Sequence, residues 1–247
     1  YGTRYQFLPR SEILSFEEIV RLTRIFVRLG VSKVRLTGGE PLMRPNLELL
    51  IRDLASIDGI GDLTLTTNGY LLRDQAQGLR DSGLKRLTVS LDSLDDGVFK
   101  QMNGRGYSLE PVMAGLIKAA EVGLYPIKIN AVVQKGINDH TILQLAKSFK
   151  GTGHILRFIE YMDVGNLNGW SKEHIVSAEE IVGIIDAELP LESIEPNYSG
   201  EVALRFRYRD GTGEIGVIAS VTKPFCGECT RLRLSTDGKI YTCLFAN

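Results

Sequence analysis

Apolar positions recur along most of the chain in two alternating rhythms. Ser15-Phe16-Glu17-Glu18 has the form of a capping box, and Ile19, Leu22, Phe26 and Leu29 follow at helical spacing until Gly30 supplies a stop. The run Val34-Arg35-Leu36-Thr37 reads as a short strand ended by the turn Gly38-Gly39-Glu40-Pro41, after which Leu47, Leu50, Ile51 and Leu54 mark one face of a second helix. The cycle repeats with strand Leu63-Thr64-Leu65-Thr66-Thr67, turn Asn68-Gly69, a polar helix to Gly83 and strand Leu87-Thr88-Val89-Ser90. A helix from Pro111 to Val122, a strand from Ile127 to Val133, a helix from Thr141 to Phe149 and a strand from Ile155 to Tyr161 continue it. Such alternation predicts an α/β fold with a parallel sheet. Five strands joined by helices suit a doubly wound sheet or a curved, barrel-like one, and periodicity does not separate them. In both, ligands gather at the C-terminal ends of the strands.

The rhythm changes after Trp170. Ser177-Ala178-Glu179-Glu180 is a second capping box, opening a helix that runs to Leu189 and stops before Pro190. Short strands from Val202 to Tyr208 and from Ile215 to Ser220 follow, then a cysteine-bearing hairpin. The expected division is a partial barrel over 1–165 and a small C-terminal β-rich extension over 166–247 that closes over it. The alternating part opens on a helix with no strand before it, and the chain stops soon after its last cysteine. Truncation at both ends is therefore expected.

The bulk numbers narrow the partners. With 247 residues, 43% of them hydrophobic, the chain can bury a full core. A formal net charge of −1 creates no strong field for nucleic acid or a membrane surface, and no apolar run approaches membrane-spanning length. The opening Tyr1-Gly2-Thr3-Arg4-Tyr5-Gln6 is neither a signal nor a transit peptide. A cytoplasmic protein acting on small molecules is the expectation.

The cysteines are the strongest chemical signal. All three, Cys226, Cys229 and Cys243, lie near the end of the chain. An odd, clustered count argues for a shared metal rather than a disulfide framework. Cys226 and Cys229 are spaced to grip one centre from a tight turn, and Cys243 returns on the far side of a hairpin turned by Thr236-Asp237-Gly238. Iron–sulfur clusters take cysteine almost exclusively, whereas structural zinc usually takes four protein ligands. Arg231 and Arg233 alternate along the expected strand, so both guanidinium groups face one way and suit a phosphate or carboxylate. A zinc-stapled hairpin with a fourth ligand from elsewhere, and arginines on a solvated face, fits the spacing equally well.

Further polar residues fall at or near strand ends. The glycines Gly38 and Gly39 permit close backbone approach to a ligand, and Glu40 offers an acceptor for an ammonium group, although a ligand-free βα turn uses the same residues. Lys128 and Asn130 alternate on one face of the fourth strand and share it with Arg157 if both strands point inward.

Taken together, Lys33-Val34-Arg35-Leu36-Thr37-Gly38-Gly39-Glu40-Pro41-Leu42, Leu65-Thr66-Thr67-Asn68-Gly69, Val89-Ser90-Leu91-Asp92, Arg157-Phe158-Ile159-Glu160-Tyr161-Met162 and Phe225-Cys226-Gly227-Glu228-Cys229-Thr230-Arg231-Leu232-Arg233 with Cys243-Leu244-Phe245 resemble the GTP 3′,8-cyclase family in order and over essentially the whole chain. The resemblance implies an incomplete TIM-like (β/α) radical S-adenosylmethionine (SAM) barrel acting at the first step of molybdenum-cofactor biosynthesis. Family members carry two [4Fe–4S] clusters. One, held by an N-terminal C-x3-C-x2-C motif, cleaves SAM to a radical that takes hydrogen from the ribose C3′ of GTP, and C3′ then joins guanine C8. The other binds the guanine base.

Carried onto this chain, the resemblance implies that Cys226, Cys229 and Cys243 hold the substrate-binding cluster. It implies that Arg35, Thr66, Lys128, Arg231 and Arg233 contact GTP. It assigns Gly38, Gly39, Glu40, Ser90, Asn130 and Met162 to SAM, and makes Arg157 a catalytic residue lining the same cavity. It further implies an electron donor, a downstream cyclic pyranopterin monophosphate synthase that takes the product, and possible pairing as a homodimer. The C-x3-C-x2-C motif is missing from the 247 residues, so this span by itself is expected not to turn over. Three other readings remain open at this point: a radical SAM relative acting on a peptide, a zinc-binding recruitment module, and a plain aldolase-like barrel.

Overall fold

The computed structural model describes residues 8–164 and 170–245. In chain order the helices and strands are α1 (Phe16–Arg28), β1 (Lys33–Leu36), α2 (Leu47–Ala55), β2 (Asp62–Thr67), α3 (Leu72–Asp81), β3 (Arg86–Ser90), α4 (Asp96–Asn103), α5 (Glu110–Glu121), β4 (Lys128–Val133), α6 (Ile142–Phe149), β5 (Ile155–Glu160), α7 (Ala178–Asp186), β6 (Leu191–Ile194), β7 (Leu204–Tyr208), β8 (Glu214–Ile218), β9 (Arg233–Leu234) and β10 (Ile240–Tyr241). Both capping boxes form. Ser15 accepts from Glu18 N–H and Ser177 from Glu180 N–H, while each glutamate reaches back to its cap. Each cap contributes about 1 kcal/mol to its helix.

One sheet of eight strands runs in the order β1-β2-β3-β4-β5-β8-β7-β6. Strands β1 to β5 are parallel, β8 adds to β5 as a sixth parallel strand, and β7 and β6 continue antiparallel. The sheet is open rather than closed into a barrel, with β1 at one edge and β6 at the other. Strands β6 to β8 thus differ from the expected cover over the barrel: they extend the main sheet. Ile215 and Val217 are almost fully buried, and pairing β8 to the free edge of β5 both seats them in the core and satisfies that edge. Among the described residues only β9 and β10 form a separate two-stranded sheet, the expected cysteine hairpin. The boundary expected at 165/166 lies outside the described residues.

Along the parallel strands the two faces differ in chemistry. Leu63, Leu65, Leu87, Val89, Ile129, Ala131, Leu156 and Phe158 lie on one face and join the core beneath α2, α3, α5, α6 and α7. The alternate positions are polar: Lys33 and Arg35, Asp62, Thr64 and Thr66, Arg86, Thr88 and Ser90, Lys128 and Asn130, and Arg157. Parallel strands are normally apolar on both faces because helices cover both. A polar second face is the chemistry of a surface that no helix covers.

Candidate functional site

The polar face forms a cationic bowl. Arg35 Nη1 donates to Thr66 Oγ1 at 2.9 Å and to Thr88 Oγ1 at 3.2 Å, tying β1 across β2 to β3. Arg157 Nε donates to Asn130 Oδ1 at 3.1 Å, its register partner on β4. Lys128 sits on the same face of β4, one alternate position away. Arg86 is neutralised by both oxygens of Asp62, which also holds Lys33 at 3.3 Å. Among the described residues no carboxylate forms an ion pair with Arg35, Lys128 or Arg157.

The electrostatics record that imbalance. Burial, and then repulsion from Arg157 and Arg86, pulls the Lys128 ammonium from its usual 10.5 down to about 8. Burial and the nearby Arg35 lower Arg157 to about 10. Arg35 is lowered as well, by burial first and then by Arg86. By surface area Arg35 is open to solvent although protein atoms crowd around it, so water screens part of that effect. Cations held together without partners constitute a site that an anion completes.

Two features shape the bowl. Gly216 on β8 faces Arg157, and a Cβ there would lie 3.0 Å from Arg157 Cγ and 3.4 Å from its Cδ, so the absent side chain makes room for the arginine stem. The loop joining β6 to β7 reaches across to β1, where Lys33 Nζ donates to the Tyr198 hydroxyl at 3.4 Å and lies 4.9 Å from the ring centroid. In the same loop Gly200 passes so close to the cysteine segment that a Cβ would meet the Glu228 carbonyl at 2.8 Å.

At the C-terminal ends of the strands the structure assembles the second expected group. Gly38 (φ 155°) and Gly39 follow β1 with nothing within 4 Å of either Cβ position, leaving the backbone open to a ligand. Ser90 ends β3 exposed and pairs in register with Asn130, and Met162 follows β5. Glu40 behaves differently from a free acceptor. Its carboxylate takes Leu42 N–H at 3.0 Å, Thr67 Oγ1–H at 2.6 Å and Asn68 N–H at 2.7 Å, which locks the β1 and β2 turns together. Beside them, burial raises the Asp92 carboxyl to about 6 against the pull of Val132 N–H, which it accepts at 2.8 Å.

The cysteine segment follows β8. Cys226 opens a short 3-10 turn, Cys226–Glu228, and Cys229 N–H closes it on Cys226 O at 3.3 Å. Arg231 precedes β9 instead of lying on it. Its Nε donates to Cys229 Sγ at 3.3 Å and its guanidinium stacks over Phe225 at 4.9 Å. The Arg231 N–H and side chain thereby hold the Cys229 thiol below its ordinary range, with Arg233 adding a smaller electrostatic pull. Arg233 Nη1 is buried with no hydrogen-bond partner. Leu14 N–H donates to Thr236 O at 2.8 Å, and Arg44 Nη2 donates to Leu14 O at 2.6 Å, so the hairpin is tied to the turn that follows Glu40.

All three cysteines are free thiols, and among the described residues no three histidine, cysteine or acidic side chains are gathered as metal ligands. Cys226 and Cys229 share one turn, and Cys243 follows β10, two residues past Tyr241, which pairs with Arg233 on β9. The donor set still fits an iron–sulfur group. It is all thiol, one member is already biased toward thiolate, and Arg231 and Arg233 lie near that member, Arg233 with its buried Nη1 unpaired. Sequence reasoning missed Lys33, Asp62, Arg86, Thr88, Tyr198 and Gly216 as parts of the bowl. The alternation Asp62-x-Thr64-x-Thr66 and Arg86-x-Thr88-x-Ser90 was the available signal for three of them.

Residues 2–149 match the model of the radical SAM superfamily, and residues 154–247 match that of Molybdenum Cofactor Synthesis C. A GTP 3′,8-cyclase of Acidothermus cellulolyticus is 53% identical over 246 residues, covering 100% of this chain and 68% of that protein. One from Xanthomonas campestris pv. campestris is 50% identical over 240 residues, covering 97% and 71%. One from Staphylococcus epidermidis is 45% identical over 247 residues, covering 100% and 72%. Among solved structures, a radical SAM methyltransferase from Sphaerobacter thermophilus shares the fold at a TM-score of 0.54 and 20% identity, over 70% of this chain and 55% of that one. Streptococcus suis SuiB does so at 0.52 and 22%, over 64% and 36%. A cationic bowl on a radical SAM sheet, with a cysteine segment beside it, is thus found in a chain that belongs to the GTP 3′,8-cyclase family.

Proposed function

We propose that the protein carries out the SAM-dependent radical cyclisation of GTP to 3′,8-cyclo-7,8-dihydroguanosine 5′-triphosphate, the first step of molybdenum-cofactor biosynthesis. The observation that carries this reading is the group of Arg35, Lys128 and Arg157 on one sheet face with no carboxylate partner among the described residues. A triphosphate supplies several negative charges at once, and guanidinium groups hold phosphate oxygens bidentately. Thr66 and Thr88 orient Arg35, Asn130 orients Arg157, and Gly216 gives its stem room. Arg231 and Arg233 complete the anion site from the cysteine side.

The open Gly38-Gly39 backbone, Ser90, Asn130 and Met162 form the SAM end, and Glu40 serves it by holding the turn in shape. Cys226, Cys229 and Cys243 would hold a [4Fe–4S] cluster beside the bowl. When bound, that cluster would supply an open coordination position for the substrate base. All three thiols of residues 1–247 belong to this second site. Cytoplasmic location, an external electron donor, pairing as a homodimer and delivery of the product to a cyclic pyranopterin monophosphate synthase complete the reading. Among the described residues no helix is long and apolar enough to cross a membrane.

The test is iron, sulfide and zinc content with electron paramagnetic resonance on anaerobically reconstituted protein, before and after GTP. One four-iron cluster per 247-residue chain, with a spectrum that changes on adding GTP, is expected. Zinc without iron, or a cluster indifferent to GTP, sinks the proposal.

A further inference from the structure

Glu160, the last residue of β5, is 0% exposed, and four donors converge on its carboxylate. Oε1 accepts from Ala178 N–H at 2.8 Å and from the Thr222 hydroxyl at hydrogen-bonding distance, and Oε2 accepts from Val221 N–H at 2.7 Å and Thr222 N–H at 2.9 Å. Ala178 is the first residue of α7, and Val221 and Thr222 lie in the segment between β8 and Cys226. The carboxylate therefore joins three elements that are distant in sequence. Its strand also carries Arg157, which is on the opposite face.

We propose that Glu160 is a positioning residue for the substrate site: it fixes the start of the cysteine segment to β5, and so sets Cys226, Cys229 and Arg231 in register with Arg157. The proposal rests on the nucleotide reading above for what the assembled site binds. The structure favours a dedicated strut over ordinary core packing for two reasons. A buried carboxylate is costly unless its lone pairs are filled, and here backbone N–H groups of a strand exit and a helix start fill them. Past Thr222 the chain enters a segment with little regular structure, where Glu228 N–H donates to Phe225 O at 3.4 Å and Cys229 N–H to Cys226 O at 3.3 Å. The hold at Val221 and Thr222 is thus the last firm attachment before the thiols.

Glu160→Gln tests this in the full-length, anaerobically reconstituted enzyme. A carboxamide presents one oxygen and one donor to four donors, so whichever way it turns at least one backbone N–H loses its partner and the bonds that remain lose charge assistance. Expected are an affinity for GTP about tenfold weaker, an altered GTP-induced change in the cluster spectrum, and faster amide exchange over 219–229, with SAM affinity close to wild type and the melting temperature lowered by only a few degrees. Wild-type GTP affinity in a folded Glu160→Gln protein overturns the proposal. So does a loss of SAM and GTP binding in equal proportion, because that marks general destabilisation. If Glu160→Gln fails to fold, Thr222→Val removes only the hydroxyl donor and is expected to weaken GTP about threefold; unchanged affinity there also overturns it. Should the wild-type enzyme show no GTP response, the nucleotide reading falls, and the positioning role is decided by exchange over 219–229 alone.

Discussion

Lys128 gives the bowl a pH signature that sequence alone does not suggest. Its ammonium is drawn from 10.5 to about 8 by burial and by Arg157 and Arg86, with Lys33 adding to the repulsion and Glu201 partly opposing it. The sign follows from which form is disfavoured. The charged form is penalised in the folded, empty protein, so this cost is present below about pH 8 and disappears as the folded-state group deprotonates between about pH 8 and 10.5. Stability of the unliganded protein should therefore rise slightly through that window. Anion affinity should move the other way, because the cation is what the phosphates need. Each pH unit above the midpoint leaves roughly a tenth as much protonated Lys128, so GTP affinity should fall about tenfold per unit from about pH 8. The second ionisation of a terminal phosphate, near ~6, is complete before this window opens and does not mask it. Anaerobic titration calorimetry with GTP from about pH 7 to about 9.5, on wild type and Lys128→Met, measures it directly. Wild type should show the slope, and Lys128→Met should bind more weakly at pH 7 with a flat profile. A slope of equal size in Lys128→Met would refute the assignment, as would a flat wild-type profile.

Other perturbations probe separate parts of the structure. Gly216→Ala should fold normally, because its backbone is not left-handed, yet push Arg157 aside and weaken GTP several-fold, roughly 1 kcal/mol; calorimetry showing wild-type affinity would remove Gly216 from the site. Cys229→Ala should abolish retention of the cluster in metal analysis while leaving the sheet's circular dichroism unchanged, and full iron retention would refute the ligand assignment. Leu65→Ala, at a fully buried position on β2, should cost about 2–5 kcal/mol of stability in denaturant melts. A loss under 1 kcal/mol, roughly that of a surface change, would contradict the packing described.

Much of this architecture was legible because local signals and tertiary structure agree. The Ser15 and Ser177 capping boxes, the turn glycines and the strand–helix rhythm all act within a few residues, and each formed where expected. What was not legible depends on distant partners. The run from Ile215 to Ser220 reads as a short apolar strand wherever it pairs, and only the free edge of β5 decides that it becomes the sixth parallel strand. Helix α4 escaped notice because its eight residues include Gly97 and bury mainly Phe99, too little to show a period. Strand β6 is four residues long, directly after Pro190. Glu40 and Glu160 look alike as acidic residues at strand ends. Their roles, a turn lock and a strut, reside in the backbone N–H groups that meet them.

The placement of β8 also bears on how the protein is made. Synthesis delivers β1 to β5 first, and the β8-facing edge of β5 stays unpaired while α7, β6 and β7 emerge. Late closure of a parallel sheet is slow, and an open edge invites association with other chains. That edge therefore stays open to association until the last long strand arrives. Arg157 meets Gly216 only once β8 has paired with β5, so the cationic face is complete only when the last parallel strand is in place.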